Sequence, residues 1–264
     1  MKRPSTGNRD RVEKRRQGSK SDKTRLTALE FLHHDQAFGA VNKPGGVLTQ
    51  APPGIDSIEC RARTARATIT GAQHPYIGVP HRLDRPASGV LLLGWSRSAT
   101  KKLAEQFERR AVDKTYWCVV AGQVPGPAGQ WSDWMRKIPD QAQSEIVPHD
   151  HPDAQWAALQ YRVLGQSRGL SWLRIELETG RTHQIRLQCA SRGFPILGDD
   201  LYGSAHPFGP QVTDTRARWI ALHARRLSCQ SPSNPGPPLV ITAPLFHHWE
   251  AFYEAFADMR TLDV

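Results

Sequence analysis

Asp84 stands between two arginines in the run His81-Arg82-Leu83-Asp84-Arg85-Pro86-Ala87-Ser88-Gly89-Val90, with a Ser-Gly turn behind it and Leu91-Leu92-Leu93 beyond. The apolar run has the length and bounding turns of a buried strand. Asp84 is therefore expected at the mouth of a core strand, in a loop carried by a rigid scaffold, where catalytic residues gather. Arg82 and Arg85 can keep such a carboxylate ionised, ready to act as a nucleophile or a base. A loop aspartate in a surface ion pair fits this segment equally well.

The elements that must position Asp84 read as follows. Phe38 to Val41 forms a short strand ending at the turn Lys43-Pro44-Gly45-Gly46, with Val47-Leu48-Thr49 as its return. Ser57 to Ile69 is weakly helical, and Val90 to Trp95 is the strand behind the loop. Ser96 or Ser98 caps a helix whose Ala99, Leu103 and Phe107 make a core-facing stripe. Lys114 to Ala121 is a strand by its β-branched and aromatic content. Residues 122–153, rich in Gly, Pro, Gln and Asp, read as a long surface excursion in which Trp131 and Trp134 are packing anchors. Ala157 to Leu164 and Ser171 to Leu177 pair across a Gly165–Gly169 turn. Thr182 to Arg192 is helical with Gly193 as its C-cap. Ala221 to Cys229 and Leu239 to Thr242 are late strands, and a helix from Pro244 to about Met259 carries Trp249, Phe252, Tyr253 and Phe256 on one core-facing stripe. Antiparallel-looking strands with few interleaved helices predict an α+β fold.

The chain has 264 residues and a net charge of +10, and ten of its Lys and Arg residues, against three acids, fall in residues 1–25. That segment is too polar to bury much surface, so a disordered basic tail is expected, followed by one domain over 26–264. The charge points to a polyanionic partner, with nucleic acid as the default. Cys60, Cys118, Cys189 and Cys229 are scattered, with no C-x-x-C spacing to suggest a metal knuckle or a redox pair. There is no signal-peptide pattern and no run approaching a membrane span, so a cytoplasmic protein with reduced thiols is expected.

A second segment, Leu177-Glu178-Thr179-Gly180-Arg181-Thr182-His183-Gln184-Ile185-Arg186, is followed by Pro195-Ile196-Leu197-Gly198-Asp199-Asp200-Leu201-Tyr202-Gly203. With the Asp84 loop, Val41-Asn42-Lys43-Pro44-Gly45-Gly46 and Lys114-Thr115-Tyr116, these segments resemble, in order, the signatures of the RluA-type pseudouridine synthases. The resemblance implies a mixed, largely antiparallel β-sheet flanked by helices and loops. It also implies an isomerase that turns specific uridines of structured RNA into pseudouridine, with ribosomal RNA the expected target ahead of transfer RNA. In that reaction the N1–C1′ bond breaks, the uracil turns over and C5 joins C1′. No cofactor and no metal are required, and a monomer is expected.

By that resemblance Asp84 is the acting carboxylate, either attacking C1′ or removing the C2′ proton. Arg186 pairs with it, and Tyr116 stacks on the target base. Arg82 fills the gap left by the flipped nucleotide, while Arg85, Arg181 and His183 are RNA-contact candidates. Plainer roles stand beside these: a helix-surface arginine for Arg186, a core tyrosine for Tyr116, a hydrogen-bonding helix start for His183. The chain departs from the pattern at Ala87, Gln188 and Leu159, where Thr, His and Thr are usual, and the S4 module of many relatives is not expected in residues 1–25. A non-catalytic RNA-binding or ribosome-assembly protein on the same fold is the alternative from another class. A nucleoside-bond hydrolase suits the lone acid but not the stacking tyrosine.

Overall fold

The computed structural model describes residues 29–234 and 236–256. The expected tail over 1–25 and the expected helical residues 257–259 lie outside them, as does the side chain of Tyr253.

The chain order is β1 (Phe31–His34), β2 (Phe38–Lys43), α1 (Ile58–Thr70), β3 (Ser88–Gly94), α2 (Arg97–Glu108), β4 (Asp113–Ala121), β5 (Ala128–Lys137), β6 (Ser144–Ile146), β7 (Gln155–Ser167), β8 (Leu170–Leu177), α3 (Gln184–Ala190), β9 (Leu222–Cys229), β10 (Leu239–Thr242) and α4 (Glu250–Ala255). The strands form one sheet in the order β1-β2-β3-β9-β4-β8-β7-β5-β6, with β10 also on β9. Every pairing is antiparallel except β3 with β9. This is the α+β class that the strand pattern predicts, with the mixed, largely antiparallel sheet that the resemblance implies.

β3 owes its central place to its composition. Val90 and Leu92 pack toward β2, β10 and α2, while Leu91 and Leu93 pack on the other face with Ile58 and Ala62 of α1. A strand apolar on both faces must be covered on both, and each such side chain contributes roughly 1.5–3 kcal/mol by leaving water. Gly89 is required where β3 meets β9. Its φ is +112°, and a Cβ there would lie 2.3 Å from the Ala224 carbonyl oxygen. Ser96 caps α2 by accepting from the Ala99 amide, and Ala99 and Leu103 are buried beneath it, as their spacing requires.

Five expectations change. Val47–Thr49 is not a strand: β1 and β3 flank β2, and the Leu48 and Thr49 carbonyls instead accept the Ile58 and Glu59 amides that open α1. The 122–153 stretch is not an excursion but contains β5 and β6. Its inward residues Trp131 and Met135 are buried, while the polar outward face of this strand disguises the period. Trp131 is a packing anchor as expected, whereas Trp134 is exposed. The β7–β8 turn is Arg168-Gly169, both at positive φ, and Gly165 lies inside β7 at a register shift. The helix expected over Thr182–Arg192 is confined to α3 because His183 adopts φ 55° and is engaged in the site. Gly193 (φ 81°) does end the turn, with Phe194 N–H reaching the Cys189 carbonyl.

Trp249 and Phe256 are buried near α4, with Phe252 packed against them. Among the described residues no helix is long and apolar enough to cross a membrane.

Candidate active site

The Asp84 loop is fixed from beneath by Lys43. This residue is 0% exposed, and its ammonium donates to the carbonyls of Pro44 (3.0 Å), Arg85 (3.1 Å) and Ala87 (2.7 Å). The Thr49 hydroxyl donates to the Leu83 carbonyl at 2.9 Å. Ser88, at the start of β3, contacts Nδ1 of buried His223 at 2.8 Å, and His223 Nε2 lies 3.2 Å from the Ala243 carbonyl. A carbonyl only accepts, so Nε2 carries the proton and Nδ1 accepts from the serine. The loop that presents Asp84 is thus held at Leu83, Arg85, Ala87 and Ser88.

Burial pulls the Lys43 ammonium down to about 7, against the opposing pull of Asp84 and with help from Arg61 and Arg85. Unfolded, the same lysine titrates near its ordinary 10.5. Between those values the unfolded chain binds more protons, so this group makes stability rise with pH from about 7 upward, by up to about 1.4 kcal/mol per unit. Denaturant unfolding between pH 7 and 8.5 should show that rise, and Lys43→Met should remove it while lowering stability throughout. A slope equal in the two proteins would show that Lys43 does not carry it.

Neither flanking arginine pairs with Asp84. Arg85 turns away, Nε to the Gly46 carbonyl (2.9 Å) and Nη2 to Asp214 (3.0 Å), and so ties three loops together. Arg82 is exposed, with no side-chain hydrogen bond among the described residues. The partner of Asp84 comes from 102 residues away, with Arg186 Nη1 standing 3.3 Å from Asp84 Oδ2. No hydrogen bond to the other oxygen, Oδ1, occurs among the described residues, and the carboxylate is partly exposed. One oxygen is held and one is open to a substrate.

Arg186 is itself held. It is 4% exposed, and Nε and Nη2 each donate at 2.7 Å to the two oxygens of Asp199, which is 1% exposed. Its guanidinium also lies 5.1 Å from the centre of the Tyr202 ring. Burial works against the charge on Arg186, but the Asp199 hydrogen bonds and the charges of Asp199 and Asp84 outweigh it, and the net shift is upward. Arg186 therefore stays charged, and a two-pronged carboxylate fixes its plane.

His183 Nε2 lies 3.1 Å from Arg186 Nη1 and 3.8 Å from Asp84 Oδ2, and its Nδ1 lies 3.0 Å from the Tyr202 hydroxyl. An arginine N–H can only donate, so Nε2 is the lone pair and Nδ1 carries the proton. Burial pushes the imidazole down, which keeps it in that neutral form. His183 orders Arg186 and Tyr202, the hydrogen-bonding role its position suggested.

Tyr116 sits on β4 where a bulge sets Thr115 opposite Arg226 and Tyr116 opposite Ala224, with Arg225 as the extra residue of β9; such bulges re-aim a side chain. Burial first and the charge of Asp84 second push its hydroxyl well above the ordinary range, so it remains protonated and able to donate. Arg181 Nε donates to the Trp156 carbonyl at 3.0 Å. The loop before α3 is held by a buried amide chain. Thr179 Oγ1 donates to Gln184 Oε1 (2.7 Å), Gln184 Nε2 to Gln188 Oε1 (3.1 Å), and Gln188 Nε2 to Asp133 (2.7 Å). Gln188 thus has a full set of partners. Ala87 is buried against the core, as is Leu159.

Asp84, Arg186, His183 and Tyr116 therefore converge, while Arg82, Arg85 and Arg181 do not contact Asp84. Asp199, Lys43, Tyr202 and His223 were not singled out by their chemistry, although the first three stand inside the motifs quoted above. The signal for Asp199 was available: an acid at a fixed distance behind Gly198 is the complement an inward arginine needs.

Residues 38–191 match the model of a family described as RNA pseudouridylate synthase. The tRNA pseudouridine synthase C of Salmonella typhimurium is 35% identical over 238 residues, which are 84% of this chain and 87% of that protein. The ribosomal large subunit pseudouridine synthase D of Pseudomonas aeruginosa is 27% identical over 217 residues, 78% of this chain but 65% of that one. Among solved structures, the human RNA pseudouridylate synthase domain containing 4 superposes with a TM-score of 0.71 at 22% identity, over 90% of this chain and 98% of that one. The mixed, largely antiparallel sheet is the fold of that pseudouridylate synthase domain. This chain belongs to the RNA pseudouridylate synthase family, of the RluA type.

Proposed function

We propose that this protein isomerises uridine to pseudouridine within structured RNA, with Asp84 as the acting carboxylate. The observation that carries the reading is the ordered triad Asp199–Arg186–Asp84: a buried acid fixes a buried arginine, which clamps one oxygen of a partly exposed acid and leaves the other open. The target nucleotide must leave its stack to reach that oxygen, at a cost of a few kcal/mol. Asp84 then acts at the ribose, the N1–C1′ bond breaks, the uracil turns within the cleft, C5 bonds to C1′, and the C5 proton is lost while N1 gains one. Nothing is oxidised and no group is gained. Arg186 holds the carboxylate oriented throughout, and Tyr116 offers a ring to the everted base and a protonated hydroxyl.

Tyr116 is open to a graded test. Tyr116→Phe should keep RNA affinity within about twofold and lower turnover by about a hundredfold, the low end of proton-transfer catalysis. Tyr116→Ala should also weaken binding, by about 5- to 100-fold for a stacking contribution of ~1–3 kcal/mol. Filter binding and single-turnover kinetics separate the two, and a Phe variant as active as the parent would remove the hydroxyl from the chemistry.

Ribosomal RNA was the target expected from the resemblance; the higher identity and fuller coverage of a tRNA enzyme now favour transfer RNA. Mapping pseudouridine in ribosomal and transfer RNA from cells with and without this protein tests the function. One or a few sites should vanish with the protein. No lost site in either RNA would overturn the reading.

A further inference from the structure

The β5–β7 edge carries a feature that the isomerisation does not use. Trp134 and Trp156 face each other across that antiparallel pair, their rings 5.3 Å apart at 61°, and they are 37% and 42% exposed. Single exposed aromatics are ordinary, but two in contact make an apolar platform that costs solubility unless something covers it. The Trp156 backbone is tied to the loop that leads into the site, while the two rings face the other side of the sheet from Tyr116. Arg181 bonds the Trp156 carbonyl, and His183, two residues further on, lies 3.8 Å from Asp84.

Among the described residues, cations that form no ion pair lie alongside. After burial, Arg110 is the charge that depresses both Lys114 and Arg181, so the three share one neighbourhood. Lys114 Nζ lies 3.7 Å from where a Cβ on Gly180 would stand. Among the described residues neither Arg110 nor Lys114 has a side-chain hydrogen bond or ion pair, and the bond of Arg181 is to a neutral carbonyl. The neighbouring groove of Arg110, Lys114 and Arg226 also holds Asp113, Glu176 and Glu178. Glu176 is taken up by Arg174 and Glu178 by Gln130 and Gln160. Arg110 ends α2 at φ 57°, in the left-handed region where glycine is usual and another residue costs about 1–2 kcal/mol.

We propose that Trp134 and Trp156, with Arg110, Lys114 and Arg181, form a second contact surface for RNA, on the sheet face opposite Tyr116, where an unpaired base outside the Asp84 cleft stacks while the cations follow its backbone. The surface rests on the RNA-modifying reading above. Aromatic platforms beside cations are the chemistry of single-strand recognition, since every base has a π-face and a duplex does not offer one.

The test is made in the Asp84→Asn background, with a short single-stranded RNA and its matching duplex as probes. Trp134→Ala with Trp156→Ala should weaken binding of the single strand by about 5- to 100-fold and of the duplex much less. Phe at both positions should restore most of the loss. Replacing Arg110, Lys114 and Arg181 together with Gln should lower the slope of log Kd against log salt by about 2. Single-strand affinity within twofold of the parent after both Trp→Ala changes, or equal losses for strand and duplex, would overturn the proposal. If the double alanine protein does not fold, 4-thiouridine RNA cross-linked to the unsubstituted chain decides. Adducts on Trp134 or Trp156 support the surface, and adducts confined to the Asp84 cleft refute it. Failure of the isomerase reading would show separately, as absence of pseudouridine with the unsubstituted protein.

Discussion

Asp84→Asn is expected to cut pseudouridine formation by more than about a thousandfold while RNA affinity stays within about threefold. The amide occupies the same space and still offers an oxygen to Arg186 Nη1, but it can neither attack a carbon nor take a proton. Arg186 is not stranded by the change, because Asp199 retains its two 2.7 Å bonds, so the fold should persist. Binding should hold or tighten, since a negative charge facing phosphates is lost. Single-turnover kinetics give the first quantity and filter binding the second. A fall in affinity matching the fall in turnover would make Asp84 a binding residue.

Asp199→Leu is expected to cost about 3–5 kcal/mol of stability, because it leaves the Arg186 guanidinium buried without its principal counter-charge. For a chain of this size that is a drop on the order of 10 °C in Tm. Arg186→Met together with Asp199→Leu should recover much of the loss, since two apolar residues of similar volume replace a pair rather than break one. Activity should not return, because Asp84 then has no clamp. Thermal melts of the two single variants and the double variant make the comparison. Additive losses in the double variant would show that the two side chains are not energetically paired.

Much of the scaffold was legible because it follows from short-range pattern. The Val90–Leu93 run could only be a strand covered on both faces, and Ser96 announced α2 through a cap three residues long. β4, β8 and β10 lie where their composition put them. β5 was not legible because an edge strand with a solvated face mixes Trp131 and Met135 with Gln, Ser, Asp and Arg, which reads as loop. Val47–Thr49 looked like a strand on content alone, yet its carbonyls were needed by the first amides of α1.

The site divides in the same way. Asp84, Arg186 and Tyr116 could be named from their motifs, but the partner of Asp84 could not be found locally. Adjacency suggested Arg82 and Arg85, whereas the fold directs Arg85 to Asp214 and brings in Arg186 from α3. Lys43 is nearly invisible in a sequence because its effect depends on complete burial.

The central claim, that the Asp84 carboxylate drives the exchange of a C1′–N1 bond for a C1′–C5 bond, is tested most directly by RNA carrying tritium at C5 of its uridines. Forming the new bond must expel that hydrogen into water. The unsubstituted protein should release tritium from one or a few nucleotides per RNA molecule without shortening the chain, and the Asp84→Asn protein should release none above background. Equal release by the two proteins, or none by either with both ribosomal and transfer RNA, would contradict the account.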